Sequence, residues 1–220
     1  MKKFLKRIAT SAILYGLAVA FFLCVKPVFT AIGLSAIFLL IMIFEWPKIC
    51  NLKKLNCWLL TPIYPILPFV LLIYMGAFQT YRMLLFYMIL ITCSHDMGGY
   101  FIGNIIGKHK LVPDISPKKT WEGFFGGCLF TFILTYLIFI VVNPQISGWQ
   151  TLGISLSVSV LATIGDLFES WLKRKAGVKD SGTLLPGHGG FLDRFDSIMA
   201  VGILFFVLKD YLIKIFVCSS

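Results

Sequence analysis

Seven apolar stretches, each long enough to cross a bilayer as a helix, run through this chain at roughly residues 8–25, 28–45, 58–76, 82–102, 123–142, 149–170 and 197–217. A hydrocarbon core about 30 Å thick takes ~20 apolar residues in helical form, because each backbone N–H and C=O must find its partner inside the segment. The stretches are continuous rather than alternating, which argues against a β-barrel. The expected fold is therefore all-α, a polytopic helical membrane protein of about seven transmembrane helices joined by polar loops. Composition agrees: 58% of residues are hydrophobic and 14% charged, against about 45–50% and about 25% in soluble domains. No loop is long enough to bury a core of its own. Residues 1–220 thus read as a single integral membrane domain, with N-terminal spans in 1–94 and the chemistry-bearing part in 95–220.

Three local features qualify that count. The third stretch holds Pro62, Pro65 and Pro68, so a kinked or broken segment is expected there. The last is weakened by Lys209, Asp210 and Lys214, with Lys209 and Asp210 placed near its far end, where they reach the headgroups. The N-terminus imitates a secretory leader, with a basic start and Ala18-Val19-Ala20 as a cleavage-like site. Its apolar run continues through Phe21, Phe22 and Leu23, so it reads as a retained first span. The six cysteines are scattered and form no CxxC pair. Neither a disulfide framework nor a zinc site is expected.

Charge sets the orientation. The formal net charge is +10, and the cations cluster at span ends, which points to topology and anionic lipid rather than to nucleic acid. With the N-terminus in the cytoplasm and each stretch crossing once, 16 of the 20 Lys and Arg residues fall inside, and only Lys26, Arg82, Lys209 and Lys214 do not. The same arrangement puts two polar islands, 95–122 and 171–196, on one cytoplasmic face. Eight of the ten acidic residues lie in or beside these islands, leaving out Glu45 and Asp210.

The islands carry the chemistry. Asp166 and Glu169 are three apart at the end of the sixth stretch, and Asp193 and Asp196 are three apart at the start of the seventh. That spacing puts each pair on one helix face. Two helix ends then present carboxylates to one point, as a hard divalent cation needs, although end-of-span charges paired with nearby cations would give the same pattern. Lys173, Arg174, Lys175 and Lys179 follow, either as a topology signal or as phosphate contacts. Arg194, between two acids, could serve as their counter-ion. Pro186-Gly187-His188-Gly189-Gly190 is a glycine-rich turn whose N–H groups could approach a phosphate, or a plain tight turn. In the first island Gly99, Gly103 and Gly107 are spaced by four, which suits close helix packing as well as substrate contact. Lys118 and Lys119 could hold a lipid phosphate at headgroup depth, with Trp121 anchoring the interface. No Walker A loop, HExxH, kinase motif set or GxSxG occurs.

The segment from Ser170 to Asp196, S-x-L-K-R-x-x-x-x-K-D-S-G-x-x-x-P-G-H-G-G-x-x-D-R-x-D, resembles the signature of phosphatidate cytidylyltransferases (CDP-diacylglycerol synthases). The SPKKTWEG run at 116–123 resembles that family's other recurrent motif. The likeness is dense over 96–196, while the first ninety or so residues agree only in hydropathy. It implies an integral membrane enzyme of phospholipid biosynthesis that makes CDP-diacylglycerol and pyrophosphate from CTP and phosphatidate. Carried over by position, it implies catalytic roles for Asp166, Lys173, Arg174, Lys179, Asp180, His188, Asp193, Arg194 and Asp196. It further implies substrate contacts from Ser116, Lys118, Lys119, Gly189 and Gly190. Mg²⁺ is expected on Asp166, Asp193 and Asp196, with a second, monovalent cation left open. The chain departs from the family pattern at Asn104, where Arg is usual, so no phosphate contact is assigned there.

These expectations place the protein in the bacterial inner (plasma) membrane as a multi-pass enzyme with its N-terminus and active site cytoplasmic. Its partners are phosphatidate, CTP and the bilayer, with no nucleic acid, and a homodimer stays open. Two other readings share parts of this inventory. A CTP-dependent polyprenol or lipid kinase would transfer the γ-phosphoryl group instead. A membrane transporter would use the charges for passage, but no mid-span charge path is visible.

Overall fold

The computed structural model describes Phe22 and residues 25–50, 55–184 and 189–216. The stretch at 8–25, with its leader-like start, falls almost wholly outside the described residues, as does His188. The first described helix, α1 (Pro27–Leu40), has Pro27 in its opening turn, where a missing N–H costs little. It runs through a π-turn at Ile41–Glu45 into α2 (Trp46–Ile49). Pro47 cannot donate to the carbonyl four residues back, and its ring crowds that carbonyl. The turn widens instead, and the Trp46 N–H donates to the Ile41 carbonyl.

Prolines act again in the next stretch. α3 (Leu55–Thr61) passes through a second π-turn, Pro62–Ile66, into α4 (Leu67–Ala77). Tyr64 leaves helical geometry there, at φ −146° and ψ 113°. The break expected from three prolines is therefore present, and it turns Tyr64 inward to within 5.8 Å of the Trp46 ring. Trp46 is fully buried and donates its indole N–H to Thr61 Oγ1 at 2.9 Å. Cys50 and Cys57, at the junction of α2 and α3, are bonded with Cα atoms 5.7 Å apart. The expectation was of no disulfide framework, and the structure joins this one pair, seven residues apart.

The long helices α5 (Gln79–Ile106), α6 (Trp121–Val142) and α7 (Gly148–Lys175) follow, and then α8 (Leu192–Val207) and α9 (Lys209–Phe216). Pro27–Ile49, Cys57–Ala77, Trp121–Val142 and Gly148–Lys175 are long and apolar enough to cross a membrane. The fold is that of a multi-pass helical membrane protein. The last apolar stretch is not one span: Leu208 sits at φ −96° and ψ 10° and separates α8 from α9. Lys209 and Asp210 lie at this break and pair at 3.3 Å, and Asp210 also accepts from the Tyr81 hydroxyl at 2.9 Å.

Between α5 and α6 the chain makes an antiparallel ribbon, β1 (Lys110–Val112) and β2 (Ser116–Thr120). This small departure from an all-α fold presents one island as a rigid ribbon. α5 and α6 cross at very short range. A Cβ on Gly98 would lie 2.8 Å from the Gly126 carbonyl oxygen, and one on Gly123 would lie 2.9 Å from that of Gly99. Of the glycines spaced by four, Gly99 and Gly103 face Gly123 of α6, a Cβ on them lying 3.4 Å from its carbonyl oxygen and 3.5 Å from its Cα, and Gly99 also lines the cavity described below. Leu72, Met75, Leu84, Met88 and Phe205, from α4, α5 and α8, are fully buried where those helices meet.

Candidate functional site

Asp166, Glu169 and Lys173 recur at helical spacing on the last turns of α7, so they share one face. Asp193 and Asp196 do the same on the first turns of α8. What brings the two faces together is Gly165. A Cβ there would lie 2.6 Å from the Asp196 carbonyl oxygen and 2.8 Å from the Ala200 side chain. The absent side chain lets the two backbones touch beside the carboxylates of Asp166 and Asp196.

The ribbon brings cations to the same place. The Lys119 ammonium lies 2.6 Å from Asp166 Oδ2. Its position is fixed by the start of α6, where Thr120 Oγ1 caps the helix by accepting the Gly123 N–H at 3.1 Å. Glu122 accepts the N–H groups of Lys108 and His109 and pairs with His109 Nδ1 at 2.6 Å. The other end is tied by Arg174, which donates to the Ile115 carbonyl at 3.3 Å.

A cavity of about 290 Å³ opens between these elements. Its charged lining consists of Asp96, Lys118, Lys119, Asp166, Asp193, Arg194 and Asp196, with His95 and Thr163 on its wall. His95 Nε2 and Thr163 Oγ1 are hydrogen-bonded at 3.0 Å. Six of the residues singled out in the sequence therefore meet at one cavity: Lys118, Lys119, Asp166, Asp193, Arg194 and Asp196.

The others are placed elsewhere. Lys173 stands behind the wall, its ammonium 2.5 Å from Glu169 and 2.7 Å from Asp193. Arg174 is spent on backbone carbonyls of Ile115 and Val178. Lys179 and Asp180 are exposed, and neither they nor Ser116 line the cavity. Gly189 and Gly190 do not line it either. Gly189 has φ +84°, and a Cβ on it would meet Asp193 Oδ2 at 2.7 Å. Gly190 donates its N–H to the same oxygen at 2.8 Å. Gly189 and Gly190 thus lie against a carboxylate of their own chain.

Asp193 is heavily engaged, accepting from Lys173, from the Ser181 N–H at 3.1 Å and from the Gly190 N–H. It precedes the apolar part of α8. Burial there raises its carboxyl, but the Lys173 ammonium and the Gly190 N–H outweigh burial and hold it below the usual range.

Three residues of the site or its support were not assigned from sequence. His95 and Asp96 adjoin each other in an otherwise apolar run, and a charge in such a run is the signal that could have found them. Glu45 was set apart because it lies far from both islands in sequence. It is fully buried and reaches the second island, as described below.

Chemically, the cavity pairs cations that can neutralise a polyanion with carboxylates that can hold a hard cation. Among the described residues no three His, Cys, Asp or Glu side chains form a metal site by themselves. The donor set still fits Mg²⁺, which commonly takes one or two carboxylates and completes its shell with substrate phosphates and water.

Comparison with known proteins shows the family of the chain. A family model described as "Cytidylyltransferase family" matches residues 3–212. A protein of Staphylococcus aureus (strain COL) named phosphatidate cytidylyltransferase is 50% identical over 115 residues, covering 52% of this chain and 44% of the relative. Proteins of the same name from Staphylococcus saprophyticus and Staphylococcus haemolyticus are 52% identical over 106 residues and 47% identical over 115. The matched stretch spans less than half the length of these relatives, 41% to 44%.

Proposed function

The chain belongs to the cytidylyltransferase family, and from that membership and the cavity we propose that it transfers the cytidylyl group of CTP to phosphatidate, giving CDP-diacylglycerol and pyrophosphate. The observation that carries this reading is the convergence of ribbon cations and helix-end carboxylates on one cavity in a membrane-type bundle. The cavity is assigned to the cytoplasmic face of the cell membrane, where the excess of Lys and Arg puts it.

A phosphate oxygen of phosphatidate attacks the α-phosphorus of CTP. The bond from that phosphorus to the β-phosphate oxygen breaks, and pyrophosphate leaves with the electron pair. A phosphate monoester is largely dianionic near neutral pH, its second pKa being about 6. No side chain need remove a proton from the nucleophile. The difficulty lies in bringing two polyanions together. Lys118, Lys119 and Arg194 supply positive charge at the cavity for the triphosphate and the leaving group. Lys119, paired with Asp166, is drawn toward phosphate when the triphosphate arrives. Of the three carboxylates expected on Mg²⁺, Asp166 and Asp196, with Asp96 beside them, are the ones to hold it, since Asp193 is already engaged by Lys173, Ser181 and Gly190; when bound, the ion would neutralise the phosphate oxygens and the developing charge. Lys173, itself paired with Glu169, holds Asp193 in place at the cavity wall.

The test is incubation of purified protein in detergent with phosphatidate, Mg²⁺ and CTP labelled in the cytidine. Label that partitions into the lipid phase, and is lost with EDTA, is the expected result. Lipid labelling from γ-labelled but not cytidine-labelled CTP would replace the reading with that of a kinase.

A further inference from the structure

Glu45 lies in the π-turn that ends α1, more than 130 residues from the partners it holds. It is fully buried. Oε1 accepts the Phe191 N–H at 2.8 Å, and Oε2 accepts the Leu192 N–H at 2.7 Å and the Ser181 hydroxyl at 3.3 Å. The first two donors are N–H groups at the entry of α8, which no side chain of its own N-cap residue satisfies. A carboxylate at that place meets orphan N–H groups and the positive end of the helix dipole together.

The geometry points to a clamp. Ser181 stands at one end of residues 182–189 and Gly190–Leu192 at the other. Asp193 joins the two ends from α8 by accepting the Ser181 and Gly190 N–H groups. Glu45 joins them a second time, from α1, through the Ser181 hydroxyl and the Phe191 and Leu192 N–H groups. The surrounding glycines fit this reading. A Cβ on Gly190 would lie 2.7 Å from Glu45 Cδ, and one on Gly182 would lie 2.9 Å from Glu45 Cγ. Two glycines of the second island are therefore small because a carboxylate from another helix occupies the space.

We propose that Glu45 is a positioning residue for the transfer reaction: it fixes the start of α8, and through it the placement of Asp193, Arg194 and Asp196 against Asp166. This rests on the activity proposed above. The widened turn made by Pro47 shapes the part of α1 from which Glu45 reaches the loop base. The N-terminal part of the chain thus contributes to the reaction through one side chain.

The test compares Glu45→Gln, Glu45→Ala, Glu45→Asp and Ser181→Ala with the unchanged chain, in detergent, by cytidylyl-transfer kinetics and by amide hydrogen exchange without substrate. Glu45→Gln keeps the shape but turns an amide NH₂ toward one of the N–H groups. It is expected to lower kcat about 10- to 100-fold, the effect of a misplaced reacting group, while KM for CTP changes less than about threefold. Peptides covering 189–194 should exchange about tenfold faster, with α5 and α6 unchanged. Glu45→Asp keeps the charge with a shorter reach and should recover part of kcat. Ser181→Ala should speed exchange at the same peptides to a smaller extent. Unchanged kcat in Glu45→Gln and Glu45→Ala would overturn the proposal. So would exchange that rises equally in every helix, since Glu45 would then serve only the overall fold. If the unchanged chain transfers no cytidylyl group, the activity proposal fails on its own, and the exchange contrast still decides whether the clamp exists.

Discussion

Residues 108–122 are held mostly by bonds of their own, with Arg174 added from α7, whereas residues 181–196 add to the bonds of Asp193 two supports from other helices. In the first segment the ribbon, the Thr120 cap and the Glu122–His109 pair are all local, joining residues within fourteen positions of one another. In the second the supports are Glu45 from α1 and Lys173 from α7. The difference follows from what each brings to the cavity. Cations on a ribbon need only a scaffold, because lysines reach outward. Carboxylates gathered beside one another repel, so they need donors in fixed places behind them. The first segment should therefore tolerate loss of a support better than the second.

The largest effect should come from the converging carboxylates. Asp166→Asn and Asp196→Asn replace the carboxyl groups at the point where α7 and α8 touch, and each should lower cytidylyl transfer at least ~10³-fold while the protein still elutes as a folded species in detergent. Wild-type turnover in both would break the comparison at its root. Next comes the contact that makes the convergence possible. Gly165→Ala puts a Cβ 2.6 Å from the Asp196 carbonyl oxygen, an overpacking that costs about 1–3 kcal/mol. Thermal unfolding in detergent should shift down, and activity should fall further than the folded fraction. Gly98→Ala, with an equally tight neighbourhood between α5 and α6, should lose stability with less loss of turnover. Equal turnover losses in the two would show that the α7–α8 contact has no special bearing on the site.

How much of this was legible in the sequence depends on the range of the interaction. The apolar stretches of 28–45, 123–142 and 149–170 map onto α1, α6 and α7 because backbone pairing within a helix is local. The broken third stretch was legible for the same reason, since Pro62 and Pro65 act on their own turns. The meeting of Asp166 with Asp196 was legible as spacing on two helix ends, but its cause, Gly165, was not. A glycine in a helix signals a close neighbour without naming it. Glu45 was illegible as a support because its partners lie 136 to 147 residues away. For Arg174 the cationic run offered a topology signal or a phosphate contact, and only the folded ribbon adds the Ile115 carbonyl within its reach. The break at Leu208 was missed because hydropathy averages across a turn that one change of backbone angles ends.

The smallest effects separate the two kinds of support on the ribbon side. Lys119→Ala removes the ammonium 2.6 Å from Asp166, and it should lower kcat/KM for CTP about 10²-fold, as loss of a preorganised positive group does. Arg174→Ala removes a donor to the Ile115 carbonyl from an exposed side chain. A single exposed hydrogen bond of this kind contributes about 0.5–1.5 kcal/mol, and here it steadies a ribbon that local bonds already hold. The value of kcat/KM for CTP should fall less than about tenfold, through a rise in KM with kcat nearly constant, and amide exchange should quicken at 113–117 alone. A loss as deep as that of Lys119→Ala would mean that Arg174 leaves the carbonyl and meets phosphate during turnover.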